Sequence, residues 1–323
     1  MNTIKTFGEI IIEKEAFNDD LYNDFDIQLK NPIHKLSNHK HNVLCLALMK
    51  DGRLVSGSVD FSIIIYNKES YKPDLIIKEH KNSVYCIIQL SSGILASCSR
   101  DKTIILYNIK GVNYEIVQTL NYHIYSIRKI IELKNKTLVS CSSDTSIIFY
   151  KKDNLEYKKD YSISADGAIS SVVQTTDNEI CYSLSNKICF YNLLENKNKN
   201  VISNMNITDP SYGNRVWLTM ISKELLLVPG ENKMSIVNVN KHSLVRVIEV
   251  PDSSCICGIC LLKRNILLTG DSQKVLRQWK IEEDNLTLIS KRENAHDDLI
   301  NVLLNLGDGH IASASNDKTI KIW

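Results

Sequence analysis

The chain has 323 residues, 43% hydrophobic and 24% charged, and 39 Lys and Arg against 37 Asp and Glu leave a formal charge of +2. That near-balance gives no electrostatic footprint for nucleic acid. The three-residue apolar run before Glu13 is too short for a signal peptide or a membrane span, so neither nucleic acid nor a membrane is an expected partner. Nine cysteines, an odd number scattered along the chain, suit a reducing compartment better than a disulfide framework. The expected location is the cytoplasm, with the nucleus as the alternative.

In chain order, residues 1–30 read as an acidic extension and residues 31–323 as one repeat-built domain. Glu9 to Asp26 holds seven acids and one lysine interleaved with Phe17, Leu21 and Phe25. Their four-residue spacing puts the three apolar side chains on one face of a helix. A short helix packed on the domain, a partner-binding motif, an arm covering the basic rim that holds Arg100 and Arg128, and a solvated or lightly packed extension all fit.

From residue 31 a histidine is followed 21 residues later by an aspartate, and six further on by an aromatic, four times: His39/Asp60/Tyr66, His80/Asp101/Tyr107, His123/Asp144/Tyr150 and His296/Asp317/Trp323. The aromatics phase the weaker copies through Tyr191, Val239 and Trp279, at intervals of 41, 43, 41, 48, 40 and 44 residues. Seven copies result. Within a copy, β-rich runs alternate with turn residues, as in Val84 to Leu90, Ser92-Gly93, Ile94 to Ser99, Asp101-Lys102 and Thr103 to Tyr107. The nearly continuous apolar character of these runs predicts strands covered on both faces. The fourth copy (Ile169 to Tyr191) has no histidine, the fifth (around Leu225 to Ile236) has no part of the triplet, and the sixth (Thr269 to Trp279) has Gln273 at the aspartate position. These three are expected to rely on packing more than on polar networks.

The recurring signature, such as Ala96-Ser-Cys-Ser-Arg-Asp-Lys-Thr-Ile-Ile-Leu-Tyr107, resembles the WD-repeat family over about nine tenths of the chain. The resemblance implies an all-β, seven-bladed WD-repeat β-propeller closed by an N-terminal strand. In that family the segment before each histidine is the outer strand of the preceding blade, so Ile33 to Leu36 is expected to complete the last blade, whose third strand ends at Trp323. It also implies that each turn aspartate accepts a hydrogen bond from its histidine, which a strand serine links to the aromatic. Three of the four networks end in Tyr, whose donor is a phenol placed farther out than an indole N–H, and their closure is left open.

Seen once, His80, Asp101 and Ser97 or Ser99 would suggest a Ser-His-Asp hydrolase. Seen four times at one spacing, they suggest architecture, and no catalytic residue is assigned. A propeller hydrolase would need one exceptional triplet. Cys255, Cys257 and Cys260 offer three thiols without a fourth ligand nearby in sequence, so packing in an inner strand is preferred to zinc. No metal and no cofactor is expected.

The resemblance implies partner binding on the face that carries the turns before the inner strands and around the triplet aspartates. Carried across, those positions give Tyr85, Arg100, Arg128, Arg215, Trp217, Asn301 and Asn316 as partner-binding candidates. Arginines near an opening suit carboxylate or phosphate, and aromatics anchor interfaces. The expected function is a non-catalytic scaffold or adaptor for other proteins or peptides. The alternative is a substrate receptor for acidic or phosphorylated peptides, of the kind that serves a ubiquitin ligase.

Overall fold

A computed structural model describes residues 31–154, 156–205, 207, 217–250, 252, 255–263 and 265–323. The acidic extension 1–30 and Arg215 lie outside the described residues. The rest forms seven four-stranded antiparallel sheets, with no helix among the described residues. Each sheet is a blade, and in blades 1 to 6 the strands follow chain order outward from a central axis. Blade 2 runs Val84–Gln89, Leu95–Ser99, Ile104–Lys110 and Asn113–Leu120.

Local chemistry sets the turns. After the inner strand of blade 2 the chain reverses at Gly93, whose φ of +92° favours glycine and whose N–H bonds Leu90 O at 2.8 Å. The next turn is held by Asp101, whose Oδ1 accepts from Thr103 N at 3.0 Å. The second strand Leu95–Ser99 is buried along its whole length, whereas the outer strand is mostly exposed. Neighbouring blades supply that cover, and an apolar cluster fills every junction. Val55 and Ile65 of blade 1 meet Ile87 and Tyr107 of blade 2 in one such cluster. In another, Leu54 and Tyr66 of blade 1 meet Ala312 and Ile320 of blade 7, which joins last to first. Blades 6 and 7 approach so closely that a Cβ at Gly270 would sit 2.6 Å from Ile300 Cγ2.

Blade 7 takes Ile300–Asn305, Ile311–Ser315 and Ile320–Ile322 from the end of the sequence and His34–Leu36 from its beginning. The pairing is antiparallel, with Lys35 opposite Lys321 and Ile33 N donating to Ile322 O at 2.8 Å.

The weak copies also form complete blades, although the inner strand of blade 5 is only Thr219–Met220. One expectation about them needs correction, because buried polar pairs are present. In blade 6 the carboxylate has moved two residues upstream, from the turn into the strand. Asp271, fully buried, pairs with Arg277 and accepts from the backbone N–H of Gln273 and Val275 at 2.9 Å each. Between blades 4 and 5, Glu179 bonds His242 Nε2 at 2.8 Å and accepts from Thr175 Oγ1 at 2.8 Å. A buried carboxylate without such partners would cost several kcal/mol.

Candidate functional site

The four triplets assemble into four copies of one polar chain. The histidine Nδ1 lies 2.9, 2.8, 2.7 and 2.8 Å from the aspartate Oδ2 in His39–Asp60, His80–Asp101, His123–Asp144 and His296–Asp317. On the far side of each ring, Nε2 sits 2.7 Å from Ser56, Ser97, Ser140 or Ser313 Oγ. Burial alone would raise the carboxyl pKa of Asp60, Asp101 and Asp317. The hydrogen bonds and charge of the histidine and the turn hydroxyl outweigh it and hold each carboxyl well below the usual range. His123 and His296 are pushed down by burial against the pull of their aspartates. In His123 and His296 the consistent arrangement is a neutral imidazole that donates to an ionised aspartate and accepts from a serine hydroxyl.

The fourth member decides whether the chain closes. Trp323 Nε1 donates to Ser313 Oγ at 2.7 Å. Among the tyrosines, Tyr150 OH reaches Ser140 Oγ at 3.1 Å and Tyr66 OH lies 3.5 Å from Ser56 Oγ, while the buried Tyr107 OH makes only a weaker contact with Ser97. A phenol thus closes the network in blade 3, barely in blade 1 and least of all in blade 2. Trp279 in blade 6 keeps the indole solution, donating to Thr269 Oγ1 at 2.9 Å. The four serines have no exposed surface and the histidine side chains at most 1%, so a substrate has no approach to them.

The cysteine run gives no ligand set. Cys257 Sγ lies 3.6 Å from Cys255 Sγ, Cys260 Sγ turns to Leu261 O, and burial pushes the Cys260 thiol up to about 12. Among the described residues, no three His, Cys, Asp or Glu side chains are grouped to hold a metal ion.

In five blades a shared backbone bond ties the turn that precedes the aspartate position to the start of the inner strand. The residue before each turn aspartate, or its counterpart, donates its N–H to a residue just before the inner strand. Val59 bonds Asn42 O at 2.9 Å, Arg100 bonds Ser83 O at 2.9 Å and Ser143 bonds Ser126 O at 3.0 Å. The same bond joins Ser272 to Cys255 O at 2.9 Å and Asn316 to Leu299 O at 3.0 Å. Arg100 is exposed at this rim. Arg128 is half-buried, its Nε donating to Ser143 Oγ at 2.8 Å and its guanidinium stacked 5.1 Å from the centroid of Tyr85 across the blade junction. Asn301 is buried and donates to Val43 O at 2.9 Å and Asn316 Oδ1 at 2.8 Å, which makes these two asparagines a clasp between blades 7 and 1. Trp217 lies in the wall of the central cavity, about 990 Å³, beside Lys129 and Leu218, with Lys129 Nζ 5.2 Å from its ring centroid.

The same geometry identifies surface residues that the sequence reading passed over. The N–H after each network histidine donates to the aspartate Oδ2, from Lys40, Lys81, Ile124 and Asp297 at 2.7, 2.8, 3.0 and 3.0 Å. The residue after each aspartate is left-handed, Phe61, Lys102, Thr145 and Lys318 at φ of 70°, 74°, 67° and 70°. Over blades 1 to 3 these positions and their neighbours expose Lys40, Lys81, Arg100 and Lys102 together with Phe61, Ile124 and Tyr125. Blade 7 exposes Asp297 and Asp298 after its histidine and Lys318 after its aspartate. Their place beside each triplet was the signal that could have found them.

Comparison with protein families gives a match to the WD domain, G-beta repeat, at residues 30–67, 71–108 and 289–323. These segments correspond to the copies with a full triplet in blades 1, 2 and 7, each beginning in or beside the outer strand that precedes its histidine. No curated protein matches the chain.

Proposed function

We propose that this chain, a WD-repeat propeller, is a non-catalytic module that holds an acidic segment of another protein against the face of blades 1 to 3. A WD-repeat propeller is generally a protein-interaction scaffold, and what remains to be chosen is the surface and the chemistry of its ligand. The observation that carries the choice is the polarity of the triplet face. Lys40, Lys81, Arg100 and Lys102 stand beside exposed Phe61, Ile124 and Tyr125, whereas blade 7 has Asp297 in place of Lys40 and Lys81 and keeps a cation only at Lys318. Cations next to rigid apolar anchors suit a peptide that offers carboxylate or phosphate together with an apolar side chain. Each aspartate below this face is ionised but satisfied by its histidine and by backbone N–H groups, so it leaves the lysines available.

Arg100 is the most direct contact, whereas Arg128 supports the surface through Tyr85 and Ser143. The test is an array of acidic and phosphorylated peptides probed with wild type and with Arg100→Glu/Lys102→Glu, melting being recorded for both. Binding lost from a variant that melts normally supports the reading, and the captured sequences distinguish carboxylate from phosphate. Binding equal in both proteins sinks it, and with it the substrate-receptor role.

A further inference from the structure

The ladder of blade 2 sets two cysteines directly opposite one another. Cys86 of the inner strand Val84–Gln89 is in register with Cys98 of the second strand Leu95–Ser99. Opposed residues of an antiparallel pair share a face, with Cα atoms about 4.5–5.5 Å apart, inside the window of roughly 4.4–6.8 Å that a disulfide spans. Both thiols point into the junction with blade 3, where Cys86 Sγ donates to Ile130 O at 3.7 Å and Cys98 Sγ to Ile127 O at 3.5 Å. The two side chains also make a weak hydrogen-bonding contact with each other. Other blades fill this place differently: Cys45 faces Gly57, Lys129 faces Cys141, Gly258 faces Gly270 and Val302 faces Ala314. Among the described ladders, only blade 2 sets sulfur against sulfur.

The two thiols differ in access. Cys86 lies in the wall of the central cavity, whereas Cys98 has no exposed surface and burial pushes its thiol up. We propose that Cys86 and Cys98 form an oxidation site, at which a small peroxide closes a reversible disulfide across the first two strands of blade 2. With hydrogen peroxide, the Cys86 sulfur attacks one oxygen, the O–O bond breaks, and a sulfenic acid forms as one water leaves. The Cys98 sulfur then attacks the sulfenic sulfur, and its proton departs with the hydroxyl as a second water while the S–S bond closes. Both sulfurs are oxidised and the peroxide is reduced. Because Cys86 borders the cavity, a peroxide reaches it with less opening of the sheet than Cys98 demands. Cys98 already stands opposite, so it resolves the sulfenic acid before further oxidation, and a thiol reductant restores the pair by exchange. The bond would tie the strand that carries Tyr85 to the strand that leads into Arg100. Its formation is independent of the ligand proposed for blades 1 to 3.

Peptide mapping without reduction tests it. The full native chain is treated with hydrogen peroxide, the remaining thiols are blocked on unfolding, and methionine sulfoxide in the same digest shows that the oxidant acted. The tryptic peptide Asn82 to Arg100 holds both cysteines and no other. It should be the first cysteine peptide to escape blocking, lighter by the two thiol hydrogens, and dithiothreitol should reverse the change. In Cys98→Ala, which takes the residue that blade 7 has as Ala314, Cys86 should collect sulfenic acid, trapped by dimedone severalfold above wild type. Oxidised methionine beside a fully blocked Asn82 to Arg100 peptide overturns the proposal. So does Cys86 joined to Cys45 or Cys141 in place of Cys98, or equal dimedone labelling of Cys86 in the two proteins.

Discussion

Tyr66, Tyr107 and Tyr150 occupy one position in three blades, are all fully buried, and differ in what the phenol touches. Removing the hydroxyl with Tyr→Phe therefore isolates the last link of each network. Tyr150→Phe breaks a 3.1 Å bond to Ser140, and a net intramolecular hydrogen bond is worth about 1 kcal/mol. At Tyr107 the buried hydroxyl has only a poorly formed contact with Ser97. A buried unsatisfied group costs about 1–3 kcal/mol, so Tyr107→Phe is expected to stabilise by about 1 kcal/mol. Tyr66→Phe, with 3.5 Å to Ser56, falls between. The outer pair should differ by about 2 kcal/mol. At roughly 2.1 cal/mol/K per residue over some 290 residues, that is a separation of about 3 °C in melting temperature. Urea denaturation at a common slope, run beside a thermal scan, resolves such a spread. Equal losses for Tyr107→Phe and Tyr150→Phe would show that the blade 2 network closes after all, and would overturn the link between phenol reach and stability.

Acidification should weaken the fold in two stages. His123 and His296 are held below their unfolded value of about 6.5, so as the pH falls through that value the unfolded chain takes up protons first and stability drops. Asp60, Asp101, Asp144 and Asp317 are held below an unfolded value of about 3.9, which adds a second loss in the acid range; urea midpoints unchanged from pH 7.5 down to 3 would contradict both stages. Asp101→Ala should cost about 1–3 kcal/mol through the stranded His80, and a wild-type melting curve would exclude that role. In blade 6, Arg277→Met should cost about 3–5 kcal/mol by leaving Asp271 buried and unpaired, while the double change Arg277→Met/Asp271→Asn should recover much of it; equal losses would deny the pairing its importance. Deleting residues 31–37 removes the outer strand of blade 7 and should broaden and lower the melting transition, so an unaltered curve would mean that the strand contributes nothing to closure.

What could be read in the sequence follows from what repeats. The triplets locate blades 1, 2, 3 and 7, and the apolar third strand keeps the phase through Tyr191, Val239 and Trp279 even where polar residues have changed. Spacing alone carries no distance, so nothing in the sequence separates Tyr107 from Tyr150. The substitute pair of blade 6 was missed because Asp271 stands where the full-triplet copies have serine, and Arg277 where blades 1 to 3 have isoleucine and blade 7 has Lys321. A cation in a strand of otherwise apolar neighbours was the available clue. On the binding face, position was transferable and environment was not. Asn301 and Arg100 share a rim, yet one is consumed by backbone and amide partners and the other faces solvent.

All nine cysteines are reduced and buried, and they are shared unevenly: Cys45 in blade 1, Cys86 and Cys98 in blade 2, Cys141 in blade 3, Cys181 and Cys189 in blade 4, and Cys255, Cys257 and Cys260 in or beside the inner strand of blade 6. Covered thiols react only when the sheet around them opens. Alkylation followed by mass mapping therefore turns the native chain into its own clock of local breathing. Blades 5 and 7 carry no cysteine, and a single thiol placed in either would complete the record and time the opening of the joint where the first and last strands meet.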